Sequence, residues 1–198
     1  QLASILTLLE KTSPKEINLK LPKGPIKTVA LLTTALVGLW LLSLLLRLFM
    51  ADIFINRAKQ RSTPSTQTLL SFTNAIKTHP TDNPFYLADA ASSFALYAQA
   101  SEDEDSKKIF TQQAEEMAKK AQSISPQNIL SLRKIANTYI VLSQFDQSYF
   151  NEAQETAVKI IELAPTDPQS YLTQAKVQIA TNDQINAKDS LKKALDLK

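Results

Sequence analysis

The chain has 198 residues, a formal net charge of +3, no cysteine and two glycines, so disulfides, thiolate nucleophiles and cysteine-based metal sites are excluded. Residues 1–51 contain six Lys/Arg and two acidic residues, which leaves 16 Lys/Arg and 17 Asp/Glu for residues 52–198. This second part is therefore about neutral and lacks the basic face of a nucleic-acid-binding protein, so we expect no nucleic acid among its partners.

The first 25 residues divide into an apolar stretch and a connector. Residues 1–10 consist of an apolar run of nine residues followed by Glu10, which is too short to span a bilayer, and they lack the basic segment and cleavage site of a signal peptide. We interpret them as the end of a truncated transmembrane helix, with an interfacial helix as the alternative, and the chain as a fragment or processed product. Residues 11–25 form a Lys-rich connector, in which Pro14, Pro22 and Pro25 exclude a long helix.

Residues 26–51 are predicted to form a transmembrane helix. Residues 28–46 carry no charge and are apolar on every face, and as a helix they measure roughly 28 Å, close to the hydrocarbon thickness of a bilayer. A buried central helix in a large soluble domain is the alternative, although such a helix normally shows a polar stripe. The helix is expected to continue toward Arg61 and to stop at Pro64.

The flanking charges predict an orientation for this helix. The N-terminal side carries five lysines, from Lys11 to Lys27, and the other side carries Arg47, Arg57, Lys59 and Arg61. Because short cytoplasmic loops are enriched in Lys and Arg, we expect the connector in the cytoplasm and the rest of the chain outside it.

Residues 52–198 show a repeated pattern. Pro80, Pro126 and Pro165 each close an apolar helical stretch. Large apolar residues lie six positions after each proline and alanines lie ten after: Tyr86, Leu132, Tyr171, Ala90, Ala136 and Ala175. Mostly small residues precede each proline by five, eight or twelve positions, with the last set counted back from position 199: Ala75, Phe72, Thr68, Ala121, Ala118, Ala114, Ile160, Ala157, Ala153, Ala194, Leu191 and Ala187.

This pattern resembles the tetratricopeptide repeat (TPR), a 34-residue helix–turn–helix. The resemblance covers about residues 65–198, and it implies an all-α fold in which a transmembrane helix is followed by an α-solenoid of TPR-like helix pairs in residues 52–198. Asn83-Pro84 and Asp167-Pro168 are typical of helix starts. The first two proline spacings are 46 and 39 residues, and we expect the extra residues in loops between the paired helices, at 102–105 and 145–148.

The TPR resemblance also implies a partner-binding groove on the first helix of each pair. In that family, small residues lie where the two helices of a pair cross, and Ala90, Ala136 and Ala175 would occupy these positions here. Residues one turn either side of each would line the groove: Leu87, Ala91, Phe94, Arg133, Asn137, Ile140, Leu172, Lys176 and Ile179. Arg133, Asn137 and Lys176 would make this groove mildly basic and suited to a carboxylate or a peptide backbone. The expected partner is a protein or peptide, and an ordinary solvated surface is the alternative.

The sequence contains no recognisable active site. His79 is the only histidine and lacks a second histidine or cysteine as partner, and no phosphate-binding glycine motif is present. We therefore expect no catalytic residue, cofactor or metal in this chain, and a surface position for His79.

A second resemblance concerns the order of the segments. An apolar start, a short Lys-rich link, a transmembrane helix and TPR-like pairs resemble the C-terminal part of bacterial O-antigen ligase-like or polymerase-like membrane glycosyltransferases, in particular at residues 47–58 (RLFMADIFINRA). The resemblance implies a plasma-membrane protein whose repeats are an extracytoplasmic accessory domain in cell-envelope glycan assembly. No position matches that family's catalytic residues, so enzyme activity stays undecided. The alternative is a single-pass scaffold with TPR repeats and no enzymatic part.

Overall fold

The computed structural model describes residues 25–59, 66–79 and 81–198, and within these ranges the chain forms eight helices and no strand. The helices are α1 (Pro25–Lys59), α2 (Thr66–Thr78), α3 (Pro84–Ala100), α4 (Glu104–Ile124), α5 (Ile129–Leu142), α6 (Tyr149–Leu163), α7 (Pro168–Ala180) and α8 (Gln184–Asp196). The described part is thus all-helical, as predicted. The predictions for residues 1–10, most of the connector 11–25, and the helix stop at Pro64 lie outside the described residues.

The chain divides into two compact units, Gln1–Ser43 and Leu44–Lys198. In the first unit the described residues belong to α1, a helix of 35 residues that begins one residue before the predicted segment 26–51 and continues to Lys59. Its segment Thr28–Ala58 is long and apolar enough to span a membrane. The hydroxyls of Thr33 and Thr34 donate to the carbonyl of Ala30, which satisfies them within the helix itself.

Polar side chains cap most helices of the second unit. The side chains of Asn83, Asp103, Asn128, Asp167 and Asp183 accept backbone N–H groups at the starts of α3, α4, α5, α7 and α8. Pro84 and Pro168 occupy first-turn positions, where their missing N–H has no helical partner to lose. The two helix starts predicted from Asn-Pro and Asp-Pro are therefore confirmed.

Helices adjacent in the chain pack together in the second unit. The contacts join α3 with α4, α5 with α6 and α7 with α8, and they also join α5 with α3 and α7, α4 with α5, and α6 with α7. The alanines predicted at helix crossings, Ala90, Ala136 and Ala175, are all buried. Small side chains at such positions let two helix backbones approach closely, because ridges of one helix then fit between those of the other.

The location of the longer insertion differs from the prediction. Only residues 101–103 separate α3 from α4, and the extra residues lengthen the two helices to 17 and 21 residues, against 13 each for α7 and α8. Asp103 caps α4 and Glu104 and Asp105 occupy its first turn, where negative charge is favourable. The acidic run 102–105 is therefore largely a helix start rather than a loop. Residues 145–148 lie between α5 and α6, as predicted.

Candidate membrane anchor and partner-binding surface

The apolar side chains of α1 are exposed in the first unit. Leu31 and Trp40 are 73% and 62% exposed, and no residue in the most apolar part of Thr28–Ala58 is buried. A core helix of a soluble protein would bury these side chains, because exposing apolar surface costs about 25 cal/mol per Å². The exposed apolar side chains are therefore suited to contact with the lipid of a bilayer.

The last turns of α1 contribute to the core of the second unit. Ala51, Ile55 and Ala58 are buried there, and Asp52 accepts a hydrogen bond from the hydroxyl of Tyr86 in α3. Burial, followed by this bond to Asp52, raises the pKa of Tyr86 above its ordinary value. The end of α1 therefore packs against the helices of the second unit.

The structure does not place the predicted groove residues of α3 on an open surface. Leu87, Ala91 and Phe94 are buried in the core, and the ring of Phe94 stacks on Phe110 of α4 with centroids 6.4 Å apart. These three side chains therefore fill the space between helices, and the expectation that they line a groove does not fit their burial.

Arg133 of α5 binds a carboxylate of the chain itself. Its guanidinium donates to Asp167 over 2.5 Å, and Asp167 also accepts the backbone N–H of Gln169 over 2.8 Å at the start of α7. The bond from Arg133, followed by that from Gln169, holds the pKa of Asp167 below its usual range. Arg133 is thus engaged in joining α5 to α7 rather than presented to a ligand.

The other five predicted groove residues lie on α5 and α7 and are at least partly exposed. Asn137, Lys176 and Ile179 are exposed, and Ile140 and Leu172 are partly exposed. These five residues, which we call the α5/α7 surface, lie on helices that contact each other. Lys176 is its only charged member, so the surface is less basic than the sequence predicted.

A set of polar contacts that joins α3 to α5, and to Gln144 in the turn after α5, was not predicted. Lys134 forms an ion pair with Asp89, and the amide of Gln99 donates to Gln144 over 2.8 Å. The hydroxyls of Ser92 and Thr138 lie 3.0 Å apart. Ser92 and Thr138 are 46 residues apart, which is the spacing of Pro80 and Pro126, so the repeat register is the signal that would have paired them.

A second polar cluster joins α4 and α6. Glu115 accepts the hydroxyl of Tyr149 over 2.7 Å and the ammonium of Lys119 over 2.5 Å. The Lys119 bond and then the Tyr149 bond lower the pKa of Glu115, and burial raises the pKa of Tyr139, whose ring stacks on Tyr149, to about 12. Each of these groups has a partner within the cluster, which gives it a structural role.

His79 makes only local contacts among the described residues. Its Nδ1 atom accepts the backbone N–H of Thr81 over 3.3 Å, and its ring meets that of Tyr86 edge-on at 5.3 Å. In the part of the chain that the structure describes, no group of three His, Cys, Asp or Glu side chains is placed to hold a metal ion.

Comparisons with known proteins assign no family to this chain. No family model matches it, and no curated protein is similar to it.

Proposed function

We propose that this chain is a membrane-anchored interaction module, in which α1 spans the bilayer and the remaining helices form an α-solenoid of TPR-like pairs that binds a protein or peptide. The observation that carries the proposal is the continuity of α1, whose apolar part is exposed while its last turns join the core of the second unit. The buried alanines at the predicted crossings and the packing of successive helices support the solenoid.

The anchor is tested by placing charge in the apolar helix. We expect the double variant Leu36→Asp/Leu39→Asp to be released from membranes by alkaline extraction and to fail to float with vesicles. The reason is that each aspartate near the middle of a spanning helix costs about 2.5–3.5 kcal/mol of insertion free energy. The matched control is Leu96→Asp/Leu130→Asp, which changes two exposed leucines of α3 and α5. Equal flotation of both variants would refute the anchor.

The proposed binding surface is the α5/α7 surface. Lys176 supplies a cation, Asn137 supplies both a donor and an acceptor, and Ile140, Leu172 and Ile179 supply apolar contacts. This combination suits an extended peptide that carries a carboxylate, because an ammonium group and an amide bind a carboxylate and a peptide backbone, respectively.

A photo-crosslinking residue at position 179 tests this surface in native membranes. We expect a discrete adduct from Ile179 that is lost when Lys176 is changed to Glu, and no such adduct from a crosslinker at the exposed Leu96 of α3. Adducts of equal yield from both positions, or an adduct unaffected by Lys176→Glu, would show that the α5/α7 surface is not the binding site.

The proposed location is the bacterial plasma membrane, with the repeats on the extracytoplasmic side. The lysines of the connector support this orientation, because positively charged short loops stay in the cytoplasm. Protease added to sealed vesicles of known sidedness tests it. Digestion of the repeats from the extracytoplasmic face is expected, and digestion from the cytoplasmic face alone would reverse the assignment.

A finer proposal is that the module is the C-terminal accessory domain of a larger O-antigen ligase-like membrane protein. It is supported by the single helix that carries residues 47–58 from the apolar segment into the repeat region. The intact mass of the native membrane protein tests it. A polypeptide with several further apolar segments is expected, whereas a mass near the 22.0 kDa of this chain would favour the single-pass scaffold.

A further inference from the structure

An apolar cavity of about 430 Å³ lies between α7 and α8. Its lining is formed by Pro168, Gln169, Leu172, Leu191, Ala194, Leu195 and Lys198. Leu191 and Leu195 are 40% and 72% exposed, so α8 presents two large apolar side chains to solvent at this place. An engineered cavity of about 150 Å³ holds a benzene ring, and this cavity therefore has room for more than one large apolar side chain.

Residues at the equivalent positions of the other helices are buried. Twelve residues lie five, eight or twelve positions before Pro80, Pro126, Pro165 or position 199 of the register, and eleven of them are buried, with Leu191 as the exception. Its counterparts Phe72, Ala118 and Ala157 are all buried. Helix α5 packs on α4, and α7 packs on α6, so in both cases the first helix of the next pair contacts the preceding second helix. In the described residues no helix contacts α8 in that way.

The charges around the cavity indicate which kind of helix would fit there. Residues 184–198 carry four lysines and two aspartates. Lys188, Lys192, Lys193 and Lys198 are all exposed, and Lys198 lines the cavity itself. A second copy of this chain would bring the same lysines to the contact, and like charges at close range oppose association. An acidic partner would instead meet opposite charge.

We propose that this face docks an amphipathic α-helix of a partner protein, with an apolar stripe that enters the cavity and acidic residues that flank the stripe. Two independent observations lead to it: the uncovered position of Leu191 in an otherwise buried register, and the lysine-rich surroundings of the cavity. An apolar helix face in a groove is a common recognition mode, in which residues at i, i+3, i+4 and i+7 act as anchors. The proposed face adjoins the α5/α7 surface, with which it shares Leu172, whereas Lys176 does not line the cavity.

Binding of a synthetic helix to the full chain in nanodiscs tests the proposal. The probe is a fluorescent peptide of about 20 residues, long enough to form a helix, with leucines at i, i+3, i+4 and i+7 spacing and glutamates elsewhere. We expect Leu191→Asp and Leu195→Asp each to weaken its binding at least tenfold. The matched control is Ile185→Asp, because Ile185 is 80% exposed on the same helix and does not line the cavity.

Charge reversal provides a second measurement that needs no change in the cavity. We expect Lys192→Glu/Lys193→Glu to weaken the glutamate peptide and to strengthen a matched peptide with lysines in place of glutamates. Equal binding of both peptides to the unchanged chain, or equal loss for Ile185→Asp and Leu195→Asp, would overturn the proposal.

Other occupants of the cavity give distinct results. If sedimentation shows a dimer that Leu195→Asp dissociates, the face belongs to a second copy. If the side chain of Leu191 is shielded from solvent in a longer form of the chain, the face is covered by that chain itself. Either result overturns the proposal. The variant Lys176→Glu separates this proposal from the α5/α7 surface. We expect it to retain peptide binding even where the crosslink from position 179 is lost.

Discussion

Asp167 holds two donors at the start of α7, the guanidinium of Arg133 and the backbone N–H of Gln169. The side chain of Arg133 is only 19% exposed, and that of Asp167 is 37% exposed. A charge-assisted bond of this kind contributes more than an exposed ion pair, because water competes for its partners less effectively. Arg133 thus stabilises the contact between α5 and α7.

Removing this bond is expected to destabilise the second unit. Arg133→Ala should lower the free energy of unfolding by about 1 kcal/mol, since the substitution removes a hydrogen bond to a charged group and leaves Asp167 with one donor. Urea titration followed by circular dichroism measures the change. Lys176→Ala is the control on the exposed side of α7, and a loss of equal size in both variants would contradict a structural role for Arg133.

The Glu115 cluster is expected to make stability depend on pH. The bonds from Lys119 and Tyr149 hold the folded pKa of Glu115 below its ordinary value of 4.5. The unfolded chain therefore binds the proton first as the pH falls, so the stabilisation is complete above about pH 4.5 and is lost as the pH decreases through the folded pKa.

The variant Glu115→Gln measures this contribution. Its free energy of unfolding should fall less steeply with decreasing pH below about 4.5 than that of the unchanged chain, because the amide does not titrate. Glu116→Gln is the matched control, since Glu116 is exposed and next in sequence. If the acid dependence of Glu115→Gln equals that of the unchanged chain, Glu115 does not carry it.

At the scale of the helices, close packing in the second unit depends on small residues where two helices touch. Ala136 of α5 is buried in a cluster with Leu132 and Ile160, the last from α6. Ala136→Leu adds three carbon atoms where no space is open, and it should cost about 1–3 kcal/mol of stability. Thermal unfolding measures the loss. The control Ala100→Leu lies at an exposed position of α3, and an equal effect at both positions would contradict close packing at Ala136.

The sequence predicted most helices because their signals are local. A helix end is indicated by a proline after an apolar stretch, and a helix start by Asn or Asp before a proline. These signals, like the small residues at fixed offsets, specify structure close to where they occur. The 12 additional residues between Pro80 and Pro126 were misplaced for the opposite reason. Whether the Ala-rich end of α3 and the run after Asp103 continue as helix depends on packing between α3 and α4, which a local pattern does not report.

The candidate binding surface was only partly predictable. Leu87, Arg133 and Leu172 occupy equivalent register positions, yet the first is buried, the second binds Asp167 and the third lines the cavity beside α8. The register specifies the face of the helix on which a side chain lies. The neighbour that covers that face is a property of the tertiary structure, and for Arg133 that neighbour is a carboxylate 34 residues away.

At the scale of the whole molecule, the helices are expected to differ in how well their backbone amides are protected from hydrogen exchange. Only Ala187 and Ala194 are buried in α8, whereas α5 buries seven residues and contacts helices on both sides. Segments with little buried apolar surface open at lower free energy than the core. Amide hydrogen exchange, measured by mass spectrometry, should therefore be faster in α8 than in α5. Equal protection in the two helices would contradict this order.

The polar contacts between α3 and α5 have a consequence for how such a chain can diversify. Asp89, Ser92 and Gln99 meet Lys134, Thr138 and Gln144, whereas the contact of α5 with α7 uses Arg133 and Asp167. A transposed or duplicated pair would bring together groups that do not match, and an unmatched buried polar group costs about 1–3 kcal/mol. The two junctions are therefore not interchangeable, and a chain with exchanged helices would need compensating substitutions where the polar groups no longer match.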